Sequence, residues 1–319
     1  MKKTLLVLLA TGWTSLMIHS QNNNVEYKVT RDDPSDICNL WVFLDPFQMD
    51  FGFKNIDGAS FNTGVTGMGW IHKRFGFDAG FRYGTLTLGK LKWGDQAKRS
   101  LAIEVGGLLT IGDRTRMKNN TKVVLSVDRS TNQQGDEIET TKFIRIPAQQ
   151  RIVTHVRAGL YLKRNPFSQE IDETGNDVEG NLSCVGVYIG LSRTAISNVF
   201  INTNTDGKAS RSGMFRFYAD AIICPVRKID PFTGSAPVAS AKLGSPVGFR
   251  LGFYGMPCED RAVKKRKAFA AGVEVGVRPG DGLYCTGSFM FPLVRRKLTA
   301  FGYVRPEGTN EKGQVIEKD

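Results

Sequence analysis

The chain has 319 residues, with 43 Lys and Arg against 31 Asp and Glu, for a formal net charge of +12. That length allows two domains, although all-β barrels and sandwiches of this size commonly form one. The five cysteines, Cys38, Cys184, Cys224, Cys258 and Cys285, are too sparse for a disulfide scaffold and lack CxxC spacing, which with only three histidines argues against a zinc site.

The N-terminus speaks to compartment. Lys2 and Lys3 form a positive n-region, Thr4 to Ala10 is mostly leucine, and Ile18-His19-Ser20 precedes a cut before Gln21. Residues 1–20 therefore read as a secretory signal peptide, with no cysteine at the cut to carry a lipid anchor. Loss of Lys2 and Lys3 leaves the exported chain at +10. Export replaces nucleic acid as the expected counter-charge with anionic lipid headgroups and lipopolysaccharide phosphates; a basic surface that only aids solubility is the alternative. After residue 20 no run approaches the roughly 18 apolar residues of a membrane helix, so a membrane-integral form must be a closed barrel.

Period-two alternation dominates the rest. Phe75, Phe77, Ala79, Phe81 and Tyr83 share one face, with Gly76, Asp78, Gly80 and Arg82 on the other. Val247, Phe249, Leu251 and Phe253 alternate with Gly248, Arg250, Gly252 and Tyr254 in the same way, and Phe269 to Val277 repeats it. This is the signal of a strand with one apolar face. Strands are predicted near 40–53, 59–71, 75–88, 100–112, 121–128, 142–163, 181–192, 212–224, 246–256, 268–278, 282–293 and 298–304. Arg278-Pro279-Gly280-Asp281-Gly282 is a tight turn, and His72 to Arg74 another. The fifth strand and the start of the sixth either span or form a projecting hairpin, which sets the count at twelve or ten. Both are even, as bacterial barrels require.

The signal peptide, the long alternating strands and a glycine-rich second face resemble bacterial outer-membrane β-barrel proteins across nearly all of the exported chain. The resemblance is architectural and names no subfamily. It implies an all-β, single-domain, transmembrane antiparallel β-barrel of about 10–12 strands over residues 21–304, in the outer membrane, followed by a polar tail at 305–319. The tail is a departure, since many such barrels end on an aromatic and here Phe301 and Tyr303 lie upstream of it. A soluble secreted β-sandwich that binds a surface ligand is the competing fold.

Asp50, Asp78, Arg82, Glu104, Arg151, His155, Arg157, Arg216, Asp220, Arg250, Glu274 and Arg278 fall on the polar face and are the candidate lumen lining. Mixed signs can pair across a narrow barrel, or line a passage whose basic excess favours anions. His155, between Arg151 and Arg157, is a conceivable base, but no serine or carboxylate is tied to it by sequence. The His-x-Ser pair of barrel lipases is absent at both His72 and His155. Asn202-x-Asn204-x-Asp206-Gly207 imitates half of a calcium loop but has Gly213 where the closing Glu belongs, and reads as a polar turn. Lys264, Lys265, Arg266 and Lys267, with Arg295, Arg296 and Lys297, are candidate lipopolysaccharide contacts. Strand parity in a twelve-stranded barrel puts them on one rim with Lys90, Lys92, Lys98 and Arg99, opposite the Pro279 turn. No catalytic group, cofactor or metal is expected. The expected function is a narrow pore, a structural element or an accessory subunit of an envelope assembly with other envelope proteins as partners. The alternative activity is a barrel enzyme acting on envelope lipid or peptide.

Overall fold

The computed structural model describes residues 17–21, 25–53, 58–72, 74–89, 100–131, 137–170, 177–232, 237–257 and 269–296. Its strands are β1 (Met17–Gln21), β2 (Tyr27–Asp32), β3 (Leu40–Gly52), β4 (Gly58–Trp70), β5 (Phe75–Gly89), β6 (Leu101–Thr131), β7 (Glu137–Glu170), β8 (Asp177–Thr203), β9 (Gly207–Pro231), β10 (Val247–Pro257), β11 (Ala270–Arg278) and β12 (Gly282–Arg296). Among the described residues, β3 to β12 pair antiparallel with their sequence neighbours, and β12 closes on β3 from Tyr284 opposite Gly52 to Arg296 opposite Leu40. The result is one all-β domain, a closed ring of ten strands.

Two predicted boundaries shift. The predicted strands 100–112 and 121–128 are one strand, β6, whose far half runs beyond the ring as a hairpin with β7. The sequence of that half loses its alternation because residues 113–120 are almost wholly exposed, so no buried face imposes a period. The count is therefore ten without the predicted strand at 298–304, which lies outside the described residues, as do residues 1–16, Cys258 and the tail. Strands β7, β8 and β9 likewise run into stretches predicted as loops.

Where β7 and β8 part beyond Gln150 and Ser197, the N-terminal segment enters the seam. Strand β2 pairs antiparallel with β8, and β1, of which Met17 to Ser20 precede the expected cut before Gln21, pairs in parallel with Glu139–Phe143 of β7. The Asp32 carboxylate accepts the Gln149 amide proton at 2.9 Å, and Asn198 donates to the carbonyls of Asp33 and Asp36. Beside this seam a small core gathers Val25, Val123, Ile144, Ile146, Val199 and Ile201.

The ring has two rims. The terminal rim carries the start of β3, the end of β12 and the projecting β6–β7 and β8–β9 hairpins. The turn rim carries Pro279–Gly280–Asp281, where Gly280 and Gly282 take φ of 78° and 102°, a region that favours glycine. Outward side chains are apolar and exposed around the ring, among them Val185, Ile189, Phe217, Phe249, Leu251, Val273 and Phe289. Exposed phenylalanines lie towards both rims: Phe53 and Phe249 near the turn rim, and, towards the terminal rim, Phe215 5.9 Å from Phe253 and Phe269 6.3 Å from Phe289.

Candidate functional site

The interior is built in three layers. At the terminal rim Ile37 of the N-terminal segment enters the mouth and packs with Trp41, Met68, Met214, Met256 and Met290. At the turn rim Phe167, Val178, Leu182, Ile222 and Ile229 form a second apolar layer, covered by Val238 and Leu243 of the β9–β10 connection. Between them lies a network of charged and tyrosine side chains.

Ten of the twelve candidate lumen residues join that network. Arg250 on β10 contacts Glu104 Oε2 on β6 at 2.7 Å, Asp220 Oδ2 on β9 at 2.8 Å and Glu274 Oε2 on β11 at 3.5 Å. Arg216 and Arg157 share Asp78 at 2.7 and 3.6 Å, and Arg157 also approaches Asp220 at 3.5 Å. Arg82 pairs with Glu104 at 3.7 Å, while Arg278 bonds Asp50 directly. Several of these contacts cross the lumen: β6 to β10, and β5 to β9, are each four strands apart around the ring.

The candidate set omits Asp45, Lys163, Asp281 and the tyrosines, although alternation puts Tyr254 on the polar face. Asp45 stands 4.0 Å from Arg82 and accepts from Thr66 at 2.7 Å. A bulge between Asp45 and Gln48 shifts the phase of β3, so Asp45 and Asp50 both point inward although their numbers differ in parity. Lys163, at the end of its predicted strand and in phase with Arg157, reaches Asp50 across the lumen at 3.0 Å. Asp281, in the turn, meets Arg278 at 3.8 Å; burial holds its carboxyl above the ordinary range despite that cation. Tyr218 and Tyr284 donate to Glu274, the latter at 2.6 Å. The Arg157 guanidinium lies 4.3 Å from the Tyr218 ring centre, and that of Arg278 lies 3.8 Å from the Tyr284 ring centre.

Among the described residues this network holds seven carboxylates (Asp45, Asp50, Asp78, Glu104, Asp220, Glu274, Asp281) and six cations (Arg82, Arg157, Lys163, Arg216, Arg250, Arg278). Among the described residues, the basic excess of the chain is thus not in this network. Among those residues the network leaves cavities of about 20 and 30 Å³, each with room for a water molecule or two.

The other two candidates stand apart. Arg151 makes a two-point pair with Asp113 at 2.8 and 2.5 Å near the terminal rim. His155 is fully buried; its Nε2 accepts from Trp70 Nε1 at 3.0 Å, and the rings stack with centres 6.0 Å apart. Its Nδ1 has no hydrogen-bond partner among the described residues. The Asn202–Gly207 segment is a hairpin turn in which the Asp206 amide donates to Thr203 Oγ1 at 3.1 Å and Thr203 Oγ1 to the Gly207 carbonyl at 3.0 Å.

The strand ends that bracket the basic clusters do not share a rim, and Lys90, Lys92, Lys98 and Arg99 lie outside the described residues. Arg295 and Arg296 end β12 opposite Trp41 and Leu40 at the terminal rim. Lys264, Lys265, Arg266, Lys267 and Lys297 lie outside the described residues, but β10 leaves and β11 returns on that same rim. Strand β5 instead ends, and β6 begins, at the turn rim. Fusion of two predicted strands into β6 removes one crossing and reverses the parity between these hairpins. No family model matches the chain, and no curated protein sequence matches it.

Proposed function

We propose that this chain is an exported, non-enzymatic outer-membrane β-barrel that serves as a structural element or accessory subunit of an envelope assembly rather than as a pore. The observation that carries this reading is a closed ring whose outer face is apolar on every side while its interior is filled with paired charges and sealed by apolar layers. Soluble monomers rarely expose an apolar patch beyond about 300–600 Å². A closed sheet with an apolar exterior matches what a bilayer demands, since no strand edge is left unpaired in the ring. Outer-membrane lipid is then the partner of the apolar belt, with exposed phenylalanines towards both rims.

With the termini on the periplasmic side, as in the family this chain resembles, the turn rim is extracellular. Lipopolysaccharide contact then passes from Arg295 and Arg296 to the β5–β6 connection with Lys90, Lys92, Lys98 and Arg99. Extraction from outer membranes followed by gel electrophoresis tests the barrel reading: an unheated sample should migrate faster than a boiled one. Planar-bilayer recordings should show no stepwise conductance; regular steps would restore the pore. Recovery of the folded protein from the soluble periplasm would remove the membrane reading altogether.

A further inference from the structure

We infer that Cys184 and Cys224 form an intramolecular disulfide that staples β8 to β9 beneath the turn rim. The inference rests on the export reading above, because an exported chain meets thiol oxidants that a cytosolic one does not. Both residues point inward into the apolar layer with Leu182 and Ile222, at 5% and 0% exposure. They lie on adjacent, paired strands, with Cys184 two residues from the Gly186 that faces Cys224.

The local backbone explains the approach. The β8–β9 register slips between Val185 and Val187, which sets Cys224 against Gly186. An added Cβ at Gly186 would stand 2.7 Å from the Cys224 Cα and 2.8 Å from its Sγ, so only glycine leaves the Cys224 sulfur its place. As a thiol, Cys184 also donates to the Pro279 carbonyl at 3.4 Å, a bond given up when its proton leaves on oxidation. Cys285, by contrast, sits on the outward face of β12, in register with the outward-facing Val275 and Phe51, away from this pair.

Formation joins the two sulfurs by one S–S bond and releases two protons and two electrons. The electrons pass to the disulfide of an oxidising dithiol protein or of oxidised glutathione, which is reduced to two thiols. Burial requires that this exchange precede ring closure, and afterwards shields the bond from reductants.

Two preparations separate this inference from the export reading. Full-length protein isolated from membranes with maleimide present should yield a Cys184 peptide joined to a Cys224 peptide, lighter by two hydrogens than the free pair. Protein unfolded and reduced, then refolded in detergent with oxidised glutathione, should yield the same linked peptide whatever compartment the cell uses. A link in the refolded protein alone sustains the pairing and sinks the export reading. Folded barrel with both thiols alkylatable after unfolding, in the glutathione preparation, overturns the pairing. Reduction of the unfolded chain, followed by refolding without an oxidant, should also lower the thermal midpoint of the wild type and leave that of a Cys184→Ala/Cys224→Ala variant unmoved.

Discussion

Arg250 shows how a charge survives inside a closed sheet. Its guanidinium touches three carboxylates on three other strands and lies 4.8 Å from the Tyr188 ring centre. Such a group adds little net stability over a well-packed apolar residue, because desolvation offsets the attraction. Removing it alone is another matter, since Glu104, Asp220 and Glu274 would stay buried without their shared cation. Arg250→Leu should therefore cost about 3–5 kcal/mol in urea unfolding of the lipid-reconstituted protein. Arg129→Gln, which loses only an exposed 3.1 Å pair with Glu139, should cost about 0–1 kcal/mol. Similar midpoints for the two variants would mean that water, not protein, solvates the lumen charges.

At the scale of the strand, glycine and tyrosine act as a pair. Tyr161 faces Gly186, Tyr188 faces Gly159, Tyr218 faces Gly252, Tyr254 faces Gly272 and Tyr284 faces Gly276, each directly across a ladder. At Gly159, Gly252 and Gly272 the facing ring leans over the neighbour strand, and only a residue without a Cβ leaves it room. The Cβ of an alanine at 252 would stand 2.0 Å from the Tyr218 ring. Gly252→Ala should thus destabilise by about 1–3 kcal/mol through forced displacement of the ring. Gly287→Ala, on the outer face with no heavy atom within 4 Å of the new carbon, should stay within about 0.5 kcal/mol. Equal losses at both positions would mean that glycine matters here for backbone freedom and not for packing.

For the whole molecule the question is which solvent the outer face meets. Val273 points outward and is 51% exposed in the middle of β11. In a bilayer, Val273→Arg should cost roughly 2–4 kcal/mol and reduce membrane assembly, whereas a solvated sandwich face would tolerate it. Sidedness follows from the ten-strand ring. A cysteine placed at Thr205 belongs to the terminal rim and one at Ser245 to the turn rim. With Cys38, Cys258 and Cys285 replaced by Ser, intact cells should label the Ser245→Cys protein and spare Thr205→Cys until the outer membrane is opened. The reverse pattern would invert the barrel; labelling of both in intact cells would remove it from the membrane.

Alternation in the amino-acid sequence was enough to specify strands, their inward and outward faces and ten network members, because a wall with one apolar and one polar side imposes period two on every strand that crosses it. The same signal failed where that condition lapses: at the exposed outer half of β6, and at Asp45, where a bulge resets the phase. Only the tertiary structure decided strand count, rim parity and charge balance. Those properties depend on which strand closes against β3 and on which carboxylate lies across the lumen from which guanidinium, and both are set by contacts between residues far apart in the chain.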